Sequence, residues 1–269
     1  MTTAVIVTTY NRPDALAAVL EGYLAQSGAA FELIVADDGS TDDTRTVVAE
    51  YAGRAPFPIR HVWQEDQGFR AAAVRNKALA ATQADYVIFT DGDCIPPLDF
   101  VAQHRALATK GRFLSGNRIL LTEAFTRDAL SRHLPLHTWR LPRWLGARLQ
   151  GNINRWLPLL RLPDGGWREN APQRWEGVKT CNLSAWHVDL LRVNGLDETY
   201  SGWGLEDSDL VIRLLHAGVI HKSARFAAPL FHLWHRENDR GQLAENQRQL
   251  DALLASRRIE ARRGLNQYS

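Results

Sequence analysis

The sequence predicts an α/β fold with a mostly parallel central sheet flanked by helices, interrupted by an aromatic insertion and closed by a C-terminal helix. Runs rich in β-branched residues alternate four times with segments of helical periodicity within about the first ninety residues, which is typical of βαβ units. Polar turns follow the predicted strands, where open α/β sheets bind ligands. No glycine-rich dinucleotide motif or phosphate loop follows the first strand, which argues against nucleotide sites of those two kinds.

Apolar spacing divides the first half of the chain into elements. Pro13 suits the first turn of a helix, and Asp42 and Asp43 suit the N-terminus of the next one, where the helix dipole stabilises carboxylates. Predicted strands cover residues 4–8, 31–36, 59–63 and 86–91; predicted helices cover 15–26, 41–52, 71–81 and 96–108, and a further strand begins at Phe113.

Chain length, net charge and composition limit the class of protein. The 269 residues carry a formal net charge of +2 and are 45% hydrophobic, which fits one large globular domain and gives no electrostatic argument for a nucleic-acid partner. Two cysteines provide neither a disulfide framework nor a zinc pattern. The start of the chain lacks the pattern of a signal peptide, and no apolar run reaches the ~18 residues of a membrane span. We therefore expect a cytoplasmic protein that can also lie peripherally on the inner face of the membrane; its oligomeric state stays open.

Two carboxylates separated by one glycine, Asp91-Gly92-Asp93, follow the fourth predicted strand. Side chains two apart on an extended segment point the same way, so both acids could share a cation, and Gly92 leaves room for a ligand. An acidic turn that only closes the strand is the alternative, because Asp and Gly are common turn residues. Asp37 and Asp38 end another predicted strand, which favours a site at this edge of the sheet.

Residues 119–176 form a basic, aromatic insertion in which the regular pattern is lost. Residues 133–175 contain five of the nine tryptophans and seven arginines against two acids. Such a segment could lie on an anionic membrane surface or stack on an acceptor sugar or phosphate. It could also form an aromatic subdomain whose arginine stems cover apolar surface. These interpretations stay open at this point.

Regular patterns return after the insertion. Pro229 lies inside a predicted strand and indicates an edge position or a bulge, because proline cannot donate to the ladder. The predicted elements are a strand over 178–184, a helix over 187–193, a helix whose apolar stripe begins at Leu210 and ends at Gly218, a strand over 226–233 and a charged helix over 238–263.

Short motifs in both halves carry a family resemblance. They are Val7-Thr-Thr-Tyr10-Asn11-Arg12, Val35-Ala-Asp37-Asp38-Gly39-Ser40-Thr41, Gly68-Phe69 with Ala73-Val-Arg75-Asn76, Asp91-Gly92-Asp93, Gly195-Leu-Asp197-Glu198 and Gly202-Trp203-Gly204-Leu205-Glu206-Asp207-Ser-Asp209. Together they resemble the inverting nucleotide-sugar glycosyltransferases of family 2, which have the GT-A fold. The second half is similar to the carboxyl-terminal part of β-1,4-galactosyltransferases and chondroitin-type polymerases. The resemblance spans about residues 3–235, except 120–175.

The resemblance implies a site for a UDP-sugar donor and a divalent cation, Mn²⁺ or Mg²⁺. For the metal it implies Asp93 and a histidine after the last strand, His232, with His235 as second choice because His-Leu-Trp-His carries two. The implied donor-binding residues are Thr9, Tyr10 and Arg12 beside the uridine, Asp37 or Asp38 or both at the base, Arg75 near the base or diphosphate, and Asp91, Gly92 and Asp93 at the ribose and metal.

On the acceptor side the resemblance implies a catalytic pair, with Asp207 as the base and Glu206 as an acceptor contact. Both acids could instead only favour a helix N-terminus. Leu205 departs from galactosyltransferases, which often carry Gly there, and this leaves donor and acceptor choice open. The further acceptor-binding candidates are Trp203 as a sugar platform, Gly204 beside it, and Lys179, which could contact acceptor or diphosphate.

The resulting prediction is metal-dependent, inverting transfer of a hexose or N-acetylhexosamine from a UDP-sugar to a hydroxyl of a glycan or lipid-linked glycan. The expected setting is the synthesis of a bacterial surface polysaccharide or lipopolysaccharide. The alternatives are a non-catalytic nucleotide- or glycan-binding protein and a docking protein for a membrane complex. The predicted organisation is a donor-binding half (1–118), the insertion (119–176), an acceptor and catalytic half (177–236) and a helical tail (237–269).

Overall fold

The computed structural model describes residues 1–28, 30–236, 239 and 241–268. The strands within them are β1 (Thr3–Thr9), β2 (Glu32–Asp37), β3 (Ile59–Trp63), β4 (Tyr86–Asp91), β5 (Cys94–Ile95), β6 (Arg112–Ser115), β7 (Arg118–Leu120), β8 (Asn182–Trp186), β9 (Ile220–Ser223) and β10 (Leu230–His232). The helices are α1 (Pro13–Leu24), α2 (Asp42–Arg54), α3 (Ala71–Ala80), α4 (Phe100–Leu107), α5 (Glu123–Ser131), α6 (Leu141–Leu149), α7 (His187–Arg192), α8 (Glu206–His216) and α9 (Leu243–Leu254).

Seven strands form the central sheet in the order β3-β2-β1-β4-β8-β6-β9. β1 runs parallel to both β2 and β4, in a register that sets Thr9 beside Asp37 and Thr8 beside Asp91. β8 is antiparallel to β4 and β6, while β9 is parallel to β6. The sheet is therefore mostly parallel, as the sequence predicts, and the carboxyl ends of β1, β2 and β4 meet at one edge.

Helices cover both faces of this sheet. Val5 and Val7 of β1 pack with α1 and α2 on one face, whereas Ile6 packs with α3 and α8 on the other. Burial on both faces explains why these strands read as continuous apolar runs rather than as alternating patterns. Pro13 stands in the first turn of α1, and Asp42 and Asp43 stand in the first turn of α2, as predicted.

A small sheet, in the order β5-β10-β7, lies beyond the acidic triplet. Its register pairs His232 of β10 with Cys94 of β5, which brings the predicted metal histidine next to the acids. The predicted edge position or bulge at Pro229 is wrong, because β10 begins after it, at Leu230, and is the central strand. Pro229 therefore removes no ladder hydrogen bond.

Several predicted boundaries are also wrong. The helix predicted from residue 96 begins at Phe100, because residues 94–95 pair as β5. The strand predicted over 178–184 covers Asn182–Trp186, and β9, too short for a clear alternation, was not predicted. The predicted tail helix is confined to Leu243–Leu254; its predicted start at Asn238, and the domain boundary at 237, lie outside the described residues.

The insertion is more regular than its sequence indicates, since it holds α5 and α6. Trp144 of α6 is buried and stacks on Phe231 of β10, with ring centroids 4.1 Å apart. Trp139 packs on Trp144 at 5.0 Å, and Arg168 is buried. These contacts support the aromatic-subdomain interpretation for the buried part of the insertion. Within the described ranges, no helix combines the length and apolarity that crossing a bilayer requires.

Candidate active site

The acidic triplet lies at the carboxyl edge of the central sheet, where β4 meets β1. Asp91 ends β4, and Gly92 donates its N–H to the Thr8 carbonyl at 2.7 Å. A Cβ at Gly92 would lie 2.8 Å from Thr9 Oγ1 and 2.9 Å from its Cβ, so any other residue would displace the stiff threonine. The Thr9 hydroxyl is buried and has no hydrogen-bond partner within the described chain.

Asp93 faces both predicted histidines. Its Oδ1 lies 3.8 Å from Nε2 of His232, and its Oδ2 lies 3.4 Å from Nε2 of His235. Ligand atoms of Asp93, Cys94 and His232 lie within 4.8 Å of one another. Burial raises the pKa of Cys94 well above its usual value, which disfavours the thiolate that binds metals. Burial lowers the pKa of His232, which favours the neutral imidazole that binds them. A carboxylate and one or two imidazoles fit a divalent cation such as Mn²⁺.

Arg75 joins the triplet to the second group of acids. It projects from α3 and is buried. Its guanidinium donates to Asp91 Oδ1 at 3.0 Å and to Glu206 Oε1 at 3.4 Å, and Nη1 lies 4.0 Å from Asp207 Oδ1. Nε donates to Thr8 Oγ1 at 2.9 Å. Three carboxylates from distant parts of the sequence therefore surround one buried cation.

A left-handed turn sets the direction of α8. Gly202, Gly204 and Leu205 have φ values of 64°, 108° and 76°, a region that glycine adopts freely and leucine rarely. Glu206 and Asp207, the first two residues of α8, follow at once. At Leu205, the position where the resemblance expected glycine, the chain therefore carries a side chain in a strained conformation.

The two groups of acids titrate unusually. Burial raises the pKa of Glu206 to about 7, Asp207 adds to the rise, and Arg75 opposes it. Burial also raises the pKa of Asp91 to about 6; Arg75 opposes this rise, and Asp93 adds to it. Carboxyl groups that titrate near neutrality are enriched in catalytic and binding sites.

Asp37 and Asp38 hold the loops that follow β2 and β3. Asp37 accepts a hydrogen bond from the Ser40 backbone at 2.8 Å. Asp38 accepts bonds from the Gln64 side chain at 2.6 Å and from the Arg70 backbone at 2.7 Å. Both carboxylates are buried, so their predicted contact with a base must use the remaining lone pairs. That contact stays a prediction.

Tyr10 and Arg12 lie at the exposed rim of the same edge. The Tyr10 hydroxyl donates to Asp66 at 2.8 Å, and the ring is 49% exposed. Arg12 Nε donates to Asp14 at 2.9 Å. Their predicted position beside a uridine is untested, although the exposed face of Tyr10 is available for stacking.

The predicted acceptor residues lie around the start of α8. Trp203 is in the left-handed turn, and the Gly204 carbonyl accepts a bond from Asn246 of α9 at 2.9 Å. Lys179 is close enough to oppose the rise in the pKa of Glu206. The tail helix therefore supports the turn that presents the predicted acceptor contacts.

Comparison with known proteins identifies this arrangement. Residues 4–157, more than half of the chain, match the family model for glycosyl transferase family 2. The chain belongs to glycosyl transferase family 2. A second model, described as the N-terminal domain of galactosyltransferase, matches residues 168–236, which include α8 and its acids. Both halves of the resemblance inferred from the motifs are thereby confirmed.

Relatives of this family 2 member are larger proteins. The chain is 33% identical over 231 residues to the validoxylamine A glucosyltransferase of Streptomyces hygroscopicus subsp. limoneus, with 80% of this chain and 48% of the relative covered. It is 38% identical over 238 residues to the hyaluronan synthase of Pasteurella multocida, with 82% and 23% covered. The chain thus spans about half or less of the length of these relatives.

Solved structures confirm the GT-A fold of this family 2 glycosyltransferase domain. TarS 1–349 of S. aureus, in complex with UDP-GlcNAc, matches with a TM-score of 0.63 and 16% identity, covering 100% of this chain and 69% of that one. The mannosyltransferase PcManGT from Pyrobaculum calidifontis, in complex with GDP-Man and Mn²⁺, matches with a TM-score of 0.61 and 19% identity, covering 93% and 62%.

Two polar residues of the family 2 site were missed from the sequence. Thr180 donates its hydroxyl to Asp207 Oδ1 at 2.7 Å. Arg118 of β7 is half-buried, and its guanidinium forms no hydrogen bond or ion pair with the described residues. Cys181 first, and then other neighbours including Asp91 and Asp93, raise the pKa of Arg118. The available signals were weak: Thr180 adjoins Lys179, and Arg118 ends the segment that starts at Phe113.

Other motif residues are structural. A Cβ at Gly195 would lie 2.4 Å from Asn76 Oδ1, and Asn76 donates to the Leu196 carbonyl at 2.9 Å. Asp209 is buried and accepts bonds from Arg213 at 2.5 Å and from Arg258 at 3.3 Å. The motifs therefore combine residues that face the cleft with residues that fasten its walls.

Proposed function

We propose that this domain catalyses metal-dependent, inverting transfer of a hexose or N-acetylhexosamine from a UDP-sugar to an acceptor hydroxyl. One observation carries the proposal: Arg75 holds Asp91 at the end of β4 against Glu206 and Asp207 at the start of α8. A donor-type acidic pair and a potential base thus share one cleft. Family 2 membership and the UDP-GlcNAc and GDP-Man complexes of the structural neighbours support a nucleotide-sugar donor.

The proposed metal ligands are Asp93 with His232, or His235 in its place. When bound, Mn²⁺ or Mg²⁺ would offset the negative charge that develops on a departing diphosphate. The Mn²⁺ complex of the structural neighbour PcManGT supports the use of a divalent metal. Asp91 is proposed to face the ribose rather than the metal, because Arg75 already holds its carboxylate, whereas Asp93 lies near the histidines.

The proposed base is Asp207. An acceptor hydroxyl is too weakly acidic to attack unaided, so a carboxylate must take its proton. Thr180 donates to Oδ1 of Asp207, which fixes the carboxylate and leaves Oδ2 for the acceptor. Attack from the α8 side, opposite a leaving group at Asp93, would invert the anomeric carbon, as in inverting hydrolases. Glu206, with its raised pKa, is proposed to hydrogen-bond the acceptor.

The remaining contacts divide between two substrates. For the donor we propose Thr9, Tyr10, Arg12, Asp37, Asp38, Arg75, Asp91, Gly92 and Asp93; for the acceptor we propose Trp203, Gly204, Glu206 and Lys179. This assigns donor binding to residues 1–118, and catalysis and acceptor binding to 177–236. A glycan or lipid-linked glycan acceptor, in bacterial surface polysaccharide or lipopolysaccharide synthesis, agrees with the hyaluronan synthase relative.

Release of UDP tests the proposal. Purified protein is incubated with a panel of UDP-sugars and glycan acceptors, with Mn²⁺, Mg²⁺ or chelator, and free UDP is measured. We expect acceptor-stimulated release that needs the metal, and an inverted linkage by NMR of the product. UDP binding without any turnover across the panel would instead favour the non-catalytic binding protein.

A further inference from the structure

One surface of the insertion is strongly basic. Residues 129–163 contain no aspartate or glutamate, and the arginines they contain are all exposed. These residues are Arg132, Arg140, Arg143, Arg148, Arg155 and Arg161. We call the exposed side chains of residues 129–163 the α6 surface. The whole chain carries a net charge of only +2, so this surface concentrates positive charge that is balanced elsewhere.

Much of this charge is not neutralised within the protein. Arg132 pairs with Asp128, and Arg161 pairs with Asp99. For Arg140, Arg148 and Arg155, no acid among residues 1–28, 30–236, 239 and 241–268 lies within ion-pair distance. Unpaired cations grouped on one exposed segment attract a surface of opposite charge.

The α6 surface also exposes large aliphatic side chains. Leu149, at the end of α6, is 89% exposed, while Leu157 and Leu162 are 52% and 45% exposed. Exposed leucines interspersed with arginines along one segment give it the composition of an amphipathic, membrane-facing segment. Because Leu149 is almost fully exposed within the part of the chain that the structure describes, its side chain is available to an apolar phase.

A recess opens on one face of α6. It has a volume of about 280 Å³ and is lined by Phe125, Trp139, Ala147 and residues of the same face of α6. The guanidinium of Arg143 lies over the Trp139 ring at 4.0 Å, at the border of the recess. The accessible lining is mostly apolar and includes the cationic Arg143, which matches a lipid chain with an anionic headgroup.

We propose that the α6 surface docks this domain on a bilayer that contains anionic phospholipid. The leucines enter the acyl boundary, the recess takes one acyl chain, and the unpaired arginines bind lipid phosphates. Phosphates of a nucleic acid would satisfy the arginines but not the exposed leucines, and this favours the membrane. Docking requires neither donor nor acceptor, so it stands or fails separately from the proposed transfer reaction.

Vesicle flotation tests the docking directly. The whole protein is mixed with vesicles of phosphatidylcholine alone, or of phosphatidylcholine and phosphatidylglycerol in equal parts. We expect flotation with the anionic vesicles and a marked loss at high salt, because surface charges are screened. Equal flotation with both vesicles, or none with either, overturns the proposal, as does tighter binding to a DNA oligonucleotide than to the anionic vesicles.

Matched variants test the surface itself. Leu149→Glu removes the most exposed leucine of the α6 surface, and Leu191→Glu is its control, because Leu191 of α7 is 52% exposed elsewhere. Gly146→Glu places a carboxylate in the recess, and Gly53→Glu is its control, since a Cβ at either glycine meets nothing within 4 Å. Each insertion variant should lose at least about tenfold in partitioning, and each control should match the wild type.

Circular dichroism and UDP release in solution complete the test. All four variants should keep the wild-type spectrum, because the altered positions are exposed or open. Leu149→Glu should also keep the UDP release of the wild type in the absence of vesicles. Equal losses of flotation in insertion variants and controls would assign the effect to added negative charge alone and overturn the proposed surface.

Discussion

Two acidic motifs of this chain look alike in sequence and fold differently. In Asp91-Gly92-Asp93 both acids face the cleft, one held by Arg75 and the other near two histidines. In Glu206-Asp207-Ser208-Asp209 the first two acids face the cleft, but Asp209 is buried with Arg213 and Arg258. The difference shows that the spacing of acidic residues in a sequence does not by itself determine whether they share a site. The local backbone conformation decides it.

The physical reason lies in the two backbones. Asp91 is the last residue of β4 and Asp93 lies in the turn that follows it, so both acids stay at the edge of the sheet, although their partners differ. In a helix, residues two apart are separated by about 200°, so Asp209 points away from Asp207. Both acids of the first motif thus belong to the candidate site. In the second motif Glu206 and Asp207 belong to it, whereas Asp209 forms a buried ion pair that stabilises the fold.

The largest expected effect separates Asp207 from its neighbours. Asp207→Asn keeps an oxygen for the Thr180 hydroxyl but removes the base, so kcat should fall by about 10²–10⁴-fold with UDP and metal binding intact. Steady-state UDP release and titration calorimetry measure the two quantities. Turnover within a few-fold of the wild type would remove Asp207 from the mechanism.

Asp209→Ala should have the opposite profile. It leaves Arg213 buried and without its carboxylate partner, so the free energy of unfolding should fall by about 3–5 kcal/mol. Urea denaturation followed by fluorescence measures this loss, and kcat per folded molecule should stay close to that of the wild type. A large loss of kcat without a loss of stability would place Asp209 in the site and contradict the proposed difference between Asp207 and Asp209.

Within the first motif, the two acids should differ in metal dependence. Asp93→Ala should weaken metal-dependent UDP binding by at least about tenfold, whereas Asp91→Asn should keep the dependence on Mn²⁺. Calorimetric titration of UDP with and without Mn²⁺ measures both. The same titration on His232→Ala and His235→Ala identifies the second ligand, and unchanged metal dependence in Asp93→Ala would contradict the metal site.

The smallest effect concerns pH. Burial raises the pKa of Glu206 from 4.5 to about 7, so between those values the folded state holds a proton that the unfolded state has lost. The contribution of Glu206 to stability is therefore complete below about pH 4.5 and declines as the pH rises to about 7. Glu206→Gln cannot titrate, so its stability relative to the wild type should increase over this range. Urea unfolding at several pH values measures the difference, and parallel pH profiles would refute it.

The sequence predicted β1 to β4 well, because the pattern of apolar residues in one strand is local information. Apolar runs, separated by segments of helical periodicity, specify β1 to β4, and the polar residues that follow them lie at one edge because these strands pair in parallel. It could not predict that β8 runs antiparallel between β4 and β6, because strand partners are chosen by tertiary packing. For the same reason the tryptophans of the insertion read as an irregular surface, although Trp144 is a core residue against Phe231.

The candidate site was predictable as a set of motifs but not as a network. Asp91 and Glu206 each belong to a recognisable motif, yet nothing in the sequence joins both to Arg75. Thr180 and Arg118 lie outside the motifs and have no distinctive neighbours. Asp197 and Asp209 both accept hydrogen bonds from Arg258, and this was hidden because Arg258 comes from the tail, where a continuous helix was predicted.

The bridge made by Arg75 also sets an order of assembly during synthesis. Arg75 and Asp91 are 16 residues apart, but Glu206 follows Arg75 by 131 residues. At typical rates of translation, the second partner emerges roughly ten seconds after the first. During that interval, Asp91 and Thr8 are the only ones of these side-chain partners already synthesised for Arg75. Because the contact between Arg75 and Glu206 spans 131 residues, the cleft is completed late in folding.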